Sequence, residues 1–133
     1  MKIENIKFKA KRLDNGEWIE GEISHFENTI WIVPIDNELF RLGCAEVDPD
    51  TICMFTGLTD CEGKEIFEHD LIHFVGHKPT AEVIWSEDNY AFMAASENEP
   101  LYLLPHVLEI GKIERVGNKF EEKVAYENTN RIE

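Results

Sequence analysis

The sequence predicts a mainly β protein: β-hairpins at the start, then a small roll or barrel, and a polar tail. Three observations predict it. Apolar runs are about five residues long and are bounded by turn residues, which is strand spacing. An Asn-Gly pair, Asn15-Gly16, sits between two extended runs, where both residues tolerate the positive φ of a tight hairpin. Helical periodicity is weak throughout, and the best helix candidate is the thin apolar pattern from Lys119 to Tyr126.

In chain order, Lys7–Leu13 leads into Asp14-Asn15-Gly16, and Glu17–Ile23 is the return strand. Thr29–Val33 and Glu38–Leu42 form a second pair around Pro34-Ile35-Asp36-Asn37. Ile52–Phe55 is a short buried-type strand that Thr56-Gly57 ends. Asp60–Lys64 is a polar turn with Gly63 at the left-handed position. Ile66-Phe67 and Leu71–Val75 restore apolar character, and Gly76–Pro79 breaks it. In Ala81–Trp85, Ala81, Val83 and Trp85 alternate with Glu82 and Ile84, which assigns one face to a core. Glu87-Asp88-Asn89 turns the chain into Tyr90–Ala94, and Leu101–Leu104 and Val107–Ile110 are the last apolar runs. The expected organisation is a hairpin subdomain over 1–45, a β roll over 46–115, and a tail over 116–133.

The chain has 133 residues, one domain's worth, with 27 acidic and 13 basic residues for a net charge of −14. Residues 1–43 carry 8 acids and 6 bases, and residues 44–133 carry 19 and 7, so the excess belongs to the later part. Such a balance argues against DNA or RNA as a direct ligand, which needs a basic face, and against an anionic membrane surface. No apolar stretch has the length of a signal peptide or a membrane span. The cysteines, Cys44, Cys53 and Cys61, are odd in number and form no CxxC pair. They read as reduced thiols of a cytoplasmic protein, with Cys61 the most exposed.

Few residues point to chemistry. His69, His73 and His77 stand four apart, and His69 and His73 are the candidates for a metal. On a strand that spacing spans about 13 Å, too far for two imidazoles on one ion. The carboxylate pairs Asp48/Asp50, Glu62/Glu65, Glu68/Asp70 and Glu87/Asp88 are what so acidic a composition produces without catalysis. No glycine elbow, phosphate loop or dinucleotide fingerprint is present, and Ser24-His25 would face opposite sides of a strand. No catalytic residue, metal or cofactor is assigned. Trp18, Trp31 and Trp85 are the candidate interaction residues, with Phe8, Phe26, Phe55, Phe74 and Tyr90 as further aromatics that a thin roll cannot all hide.

The stretch Phe55-Thr56-Gly57-Leu58-Thr59-Asp60-Cys61-Glu62-Gly63-Lys64-Glu65-Ile66-Phe67-Glu68-His69-Asp70-Leu71-Ile72 resembles the signature of the YopX family of phage and prophage proteins. Ile6–Ala10, Trp18 and Glu109–Ile113 resemble family positions in the same order, so the likeness spans residues 6–115. His69 stands where the family has glycine, and Phe67 where it has tyrosine. The resemblance implies an SH3-like β roll in the later part, a bacterial host cytoplasm and homo-oligomeric assembly, with no established activity. The motif's own chemistry is that of a fold corner: Thr56, Gly57, Asp60, Gly63 and Asp70 make turns and caps. The reading that follows is a non-enzymatic, homo-oligomeric interaction module with a host or phage protein as partner. The alternatives are an acidic decoy for the basic surface of a nucleic-acid-binding protein, and a small metal-dependent enzyme.

Overall fold

The computed structural model of the chain describes residues 2–34, 43–76, 80–97 and 100–120. The expected strand 38–42, His77 and the helix candidate beyond residue 120 lie outside them. The chain divides into two compact units, Met1–Gly57 and Leu58–Glu133.

In the first unit, β1 (Phe8–Lys11) pairs antiparallel with β2 (Trp18–Phe26) across the Asn15-Gly16 turn, where Gly16 has φ 73. β3 (Thr29–Val33) follows through a tight turn at Glu27, a non-glycine residue with φ 53. Its other neighbour is β4 (Ala45–Glu46), and β1 pairs with β5 (Cys53–Thr59), giving the order β4-β3-β2-β1-β5. Strand alternation sends Ala10 and Ile32 inward with Val47, and Phe8, Ile19, Ile23, Ile30 and Ile52 pack around them. A 3₁₀ turn, Pro49–Thr51, precedes β5. Asp48 caps it by accepting from Asp50 N at 3.0 Å, and Thr51 Oγ1 accepts from Lys11 N at 2.9 Å.

β5 does not stop at Thr56-Gly57, as the sequence suggests. Gly57 is carried inside the strand with φ 84, a conformation glycine enters without a Cβ penalty, so pairing continues to Thr59. In the second unit the Asp60–Lys64 turn returns the chain into β6 (Glu65–Phe67), with Asp60 N donating to Lys64 O at 2.8 Å. There follows an antiparallel sheet of order β10-β9-β8-β7-β11: β7 (Asp70–Phe74), β8 (Ala81–Ser86), β9 (Ala91–Ala95), β10 (Tyr102–Leu103) and β11 (Ile113–Asn118). The sheets are open, and among the described residues no barrel closes.

Two further differences have local causes. Leu104–Ile110 forms helix α1, which the sequence reading treats only as apolar runs. Pro105 suits a first helical turn, and Leu104, Val107 and Leu108 share one face. Seven residues are too few for that period to stand out. Residues 116–118, assigned to the tail, complete β11 because Gly117 and Asn118 pair with Leu71 and Asp70. The helix face and the inner face of the sheet close one core of Ile66, Ile72, Val83, Ala94, Leu104, Val107 and Ile113.

His69 has φ 71, a conformation that favours glycine. The conformation is imposed from both sides: His69 N donates to Val83 O at 2.6 Å and His69 O accepts from Lys119 N at 2.9 Å. A left-handed non-glycine residue costs about 1–2 kcal/mol. His69→Gly should therefore be about 1 kcal/mol more stable than His69→Ala in urea unfolding. Equal stabilities would show that the backbone there carries no strain.

Candidate functional site

The family-type motif is built around two buried carboxylates. Asp60 starts the β5–β6 turn: its Oδ1 accepts from Glu62 N at 2.8 Å and Lys64 N at 2.9 Å, and its Oδ2 accepts from Arg115 N at 2.8 Å. Gly63, with φ 83, lets the turn close beneath it. Burial by itself raises the Asp60 pKa. The N–H donors of Arg115, Lys64 and Glu62, helped by the Lys64 charge, outweigh it and hold the group below the ordinary 3.8.

Asp70 opens β7 and is fully buried. Its Oδ2 accepts from Phe67 N at 2.7 Å and from Arg115 Nε at 3.0 Å, and its Oδ1 accepts from Asn118 Nδ2 at 2.9 Å. Arg115 thus meets Asp60 through its backbone and Asp70 through its guanidinium. β11 shifts register between Arg115 and Gly117, and that irregularity brings Asn118 opposite Asp70. Sequence reasoning missed Arg115 and Asn118. They lie 55 and 48 residues from their partners, and no local pattern marks such a pairing.

The candidate metal ligands have other partners. His69 Nδ1 is 2.8 Å from Glu82 Oε2, and its ring packs edge-on against Phe120 with centroids 5.3 Å apart. His73 Nε2 is 2.7 Å from Glu114 Oε1. Among the described residues, no three His, Cys, Asp or Glu side chains gather where a metal ion would sit.

The three tryptophans have different surroundings. Trp18 lies on the lysine face of β1–β2, with Lys9 Nζ 4.8 Å and Lys11 Nζ 5.6 Å from its ring centroid. Trp31 lines a cleft of about 370 Å³ in the first unit, with Arg12, Leu13, Asp14, Cys44, Ala45 and Glu46, and donates Nε1–H to Thr29 Oγ1 at 2.9 Å. Arg12 is forked onto Asp14 at 2.9 and 2.8 Å, and this hydrogen bonding lowers the Asp14 pKa. Trp85 is 39% exposed and meets Phe92 edge to face. Thr56 and Gly57 lie within β5. No disulfide joins Cys44, Cys53 or Cys61, and Cys61 is the exposed one.

These features define an antiparallel β scaffold whose two buried carboxylates, Asp60 and Asp70, are spent on holding strands together. The chain belongs to the YopX family: the family model, YopX protein, matches residues 7–133. No curated protein matches it. Among the described residues, no helix is long and apolar enough to cross a membrane.

Arg115→Met should cost about 3 kcal/mol in urea unfolding, because it strands a buried carboxylate. A loss below about 1 kcal/mol would show that Asp70 is satisfied without the guanidinium. For Asp60, the folded pKa lies below the unfolded one, so the unfolded chain binds the proton first. Its stabilisation is present above the ordinary value of 3.8 and is lost as pH falls through the folded value. Asp60→Asn should be less stable at neutral pH and lose less on acidification, read as urea midpoints from pH 7 down to about pH 3. An acid limb as steep as the wild type's would assign the effect to other carboxylates.

Proposed function

We propose that this YopX-family chain is a phage- or prophage-encoded, non-enzymatic interaction module that self-associates in the cytoplasm of a bacterial host. The observation that carries the reading is the edge of the second unit's sheet. β10 is one of the two end strands of that sheet, and Leu101, Tyr102 and Leu103 are all exposed, Leu103 by 50%. β10 is two residues long and is bounded by Pro100 and Pro105, so what it offers a second chain is exposed apolar side chains rather than a long run of free backbone groups. Ile110, at the end of α1, adds exposed apolar surface in the same unit.

The chemistry of the motif supports the same reading. Asp60 and Asp70 are buried acceptors of fixed N–H donors, an arrangement that holds strands in register and leaves neither carboxylate open to a substrate. The imidazoles of His69 and His73 sit against carboxylates on one face of the sheet. Three cysteines without a disulfide suit a reducing compartment.

Multi-angle light scattering at micromolar concentration should give at least twice the single-chain mass. Leu103→Lys, an exposed position that leaves the core untouched, should return the protein to a monomer with its circular dichroism unchanged. A monomeric wild type would overturn the reading, and an unaltered mass for Leu103→Lys would move the interface away from β10.

A further inference from the structure

The β8–β9 hairpin ends in a turn that displays an aromatic ring under strain. Tyr90 has φ 49, which is unusual for a bulky side chain. Asn89, one position earlier, is a residue type that tolerates such a conformation far better. Ser86 Oγ holds the turn by accepting from Asn89 N at 3.2 Å and Nδ2 at 3.0 Å. The outcome is a phenol ring 78% exposed to solvent. Strain kept at an exposed aromatic points to use of that aromatic.

The rest of the hairpin end matches it. Trp85 and Phe92 are direct cross-strand partners, with ring centroids 5.2 Å apart and planes at 74°. Phe92 is half-buried against the core, and Trp85 is the ring of the pair that reaches solvent, 39% exposed. Glu87 and Asp88 are exposed in the same turn, and among the described residues no ion pair engages either of them. No lysine or arginine occurs between residues 80 and 111. Aromatic faces and carboxylates both attract cations, and among the described residues no lysine or arginine pairs with Glu87 or Asp88 or lies over Trp85.

Trp18 supplies the internal comparison. Its ring already has Lys9 and Lys11 over it, 4.8 and 5.6 Å from the centroid. Trp85 has no such cation among the described residues. An anionic ligand would be repelled by Glu87 and Asp88, and a purely apolar one would have to desolvate them. We propose that the tip of this hairpin, with Trp85, Tyr90, Glu87 and Asp88 exposed on it, is a docking site for a lysine- or arginine-bearing segment of a partner protein. The proposal rests on the interaction-module reading above and names the chemistry of one partner.

The test titrates the full chain with a hexa-arginine peptide by calorimetry, at an ionic strength of about 0.1 M so that distant charges are screened. Tyr90→Asn suits the left-handed turn and preserves the fold. It should weaken binding about fivefold, and Trp85→Leu about tenfold. Glu87→Gln combined with Asp88→Asn should weaken it by a similar factor. Glu4→Gln combined with Glu22→Gln removes the same charge from exposed positions of the first unit and should leave affinity within about twofold. No binding by the wild type, full binding by the hairpin variants, or an equal loss in the Glu4/Glu22 control would each overturn the proposal. Light scattering of Tyr90→Asn separates the two claims. Lost peptide affinity at unchanged mass supports this site, and a monomeric wild type that binds peptide through Tyr90 overturns self-association alone.

Discussion

The second unit depends on satisfying two carboxylates that the fold removes from water. An unpaired buried charge costs several kcal/mol, so Asp60 and Asp70 can be buried only where donors already wait for them. Arg115 supplies one donor to each, its backbone N–H to Asp60 and its Nε–H to Asp70. This fixes β11 along its length. The strand cannot slide without exposing one carboxylate to a missing partner, and a shift by one residue would turn Ile113 out of the core that it shares with Ile72. The register irregularity after Arg115 is the geometric consequence, because it places Asn118 opposite Asp70 while Arg115 stays opposite Ile72. Helix α1 runs directly into this strand, so the position of Leu104 and Val107 over the sheet follows from the same pinning.

His69 belongs to this corner. Its backbone N–H and C=O are both used by neighbouring chain segments, which holds φ at 71 whatever side chain is present. Glycine would meet that demand without strain. Histidine accepts the strain and returns an imidazole that bridges toward Glu82 and packs on Phe120. The side chain therefore adds an imidazole to the surface of a corner whose backbone path the two hydrogen bonds hold.

What could be read from the sequence was local. Asn15-Gly16 marks the first hairpin, Thr29–Val33 is a strand with the bounds it shows in the fold, and the Asp60–Lys64 turn is written in its own residues. The Glu27 turn was invisible because glutamate and asparagine are not the usual pair for a tight hairpin. Gly57 was read as a stop because a glycine punctuates sequence whether it ends a strand or continues one with unusual φ. The polar pairing of Asp60 and Asp70 with Arg115 and Asn118 is long-range, and residue type alone gives it no address. Alternation in Ala81–Trp85 identified a face but not how far the cover extends: Val83 is buried under it and Trp85 emerges at its end.

That last distinction separates packing from recognition in this chain. In the first unit Trp18 already has two of the chain's own cations over its ring. The β8–β9 region combines aromatic rings with carboxylates and contains no base in its stretch of sequence. Both surfaces would score alike on aromatic content or exposure. They differ in charge: lysines lie over Trp18, whereas the turn that follows Trp85 carries two carboxylates that no ion pair engages among the described residues. The acidity of the chain, which by composition alone argues little beyond against nucleic-acid phosphate, acquires a location there: two carboxylates at a strained turn, beside rings whose faces favour positive charge.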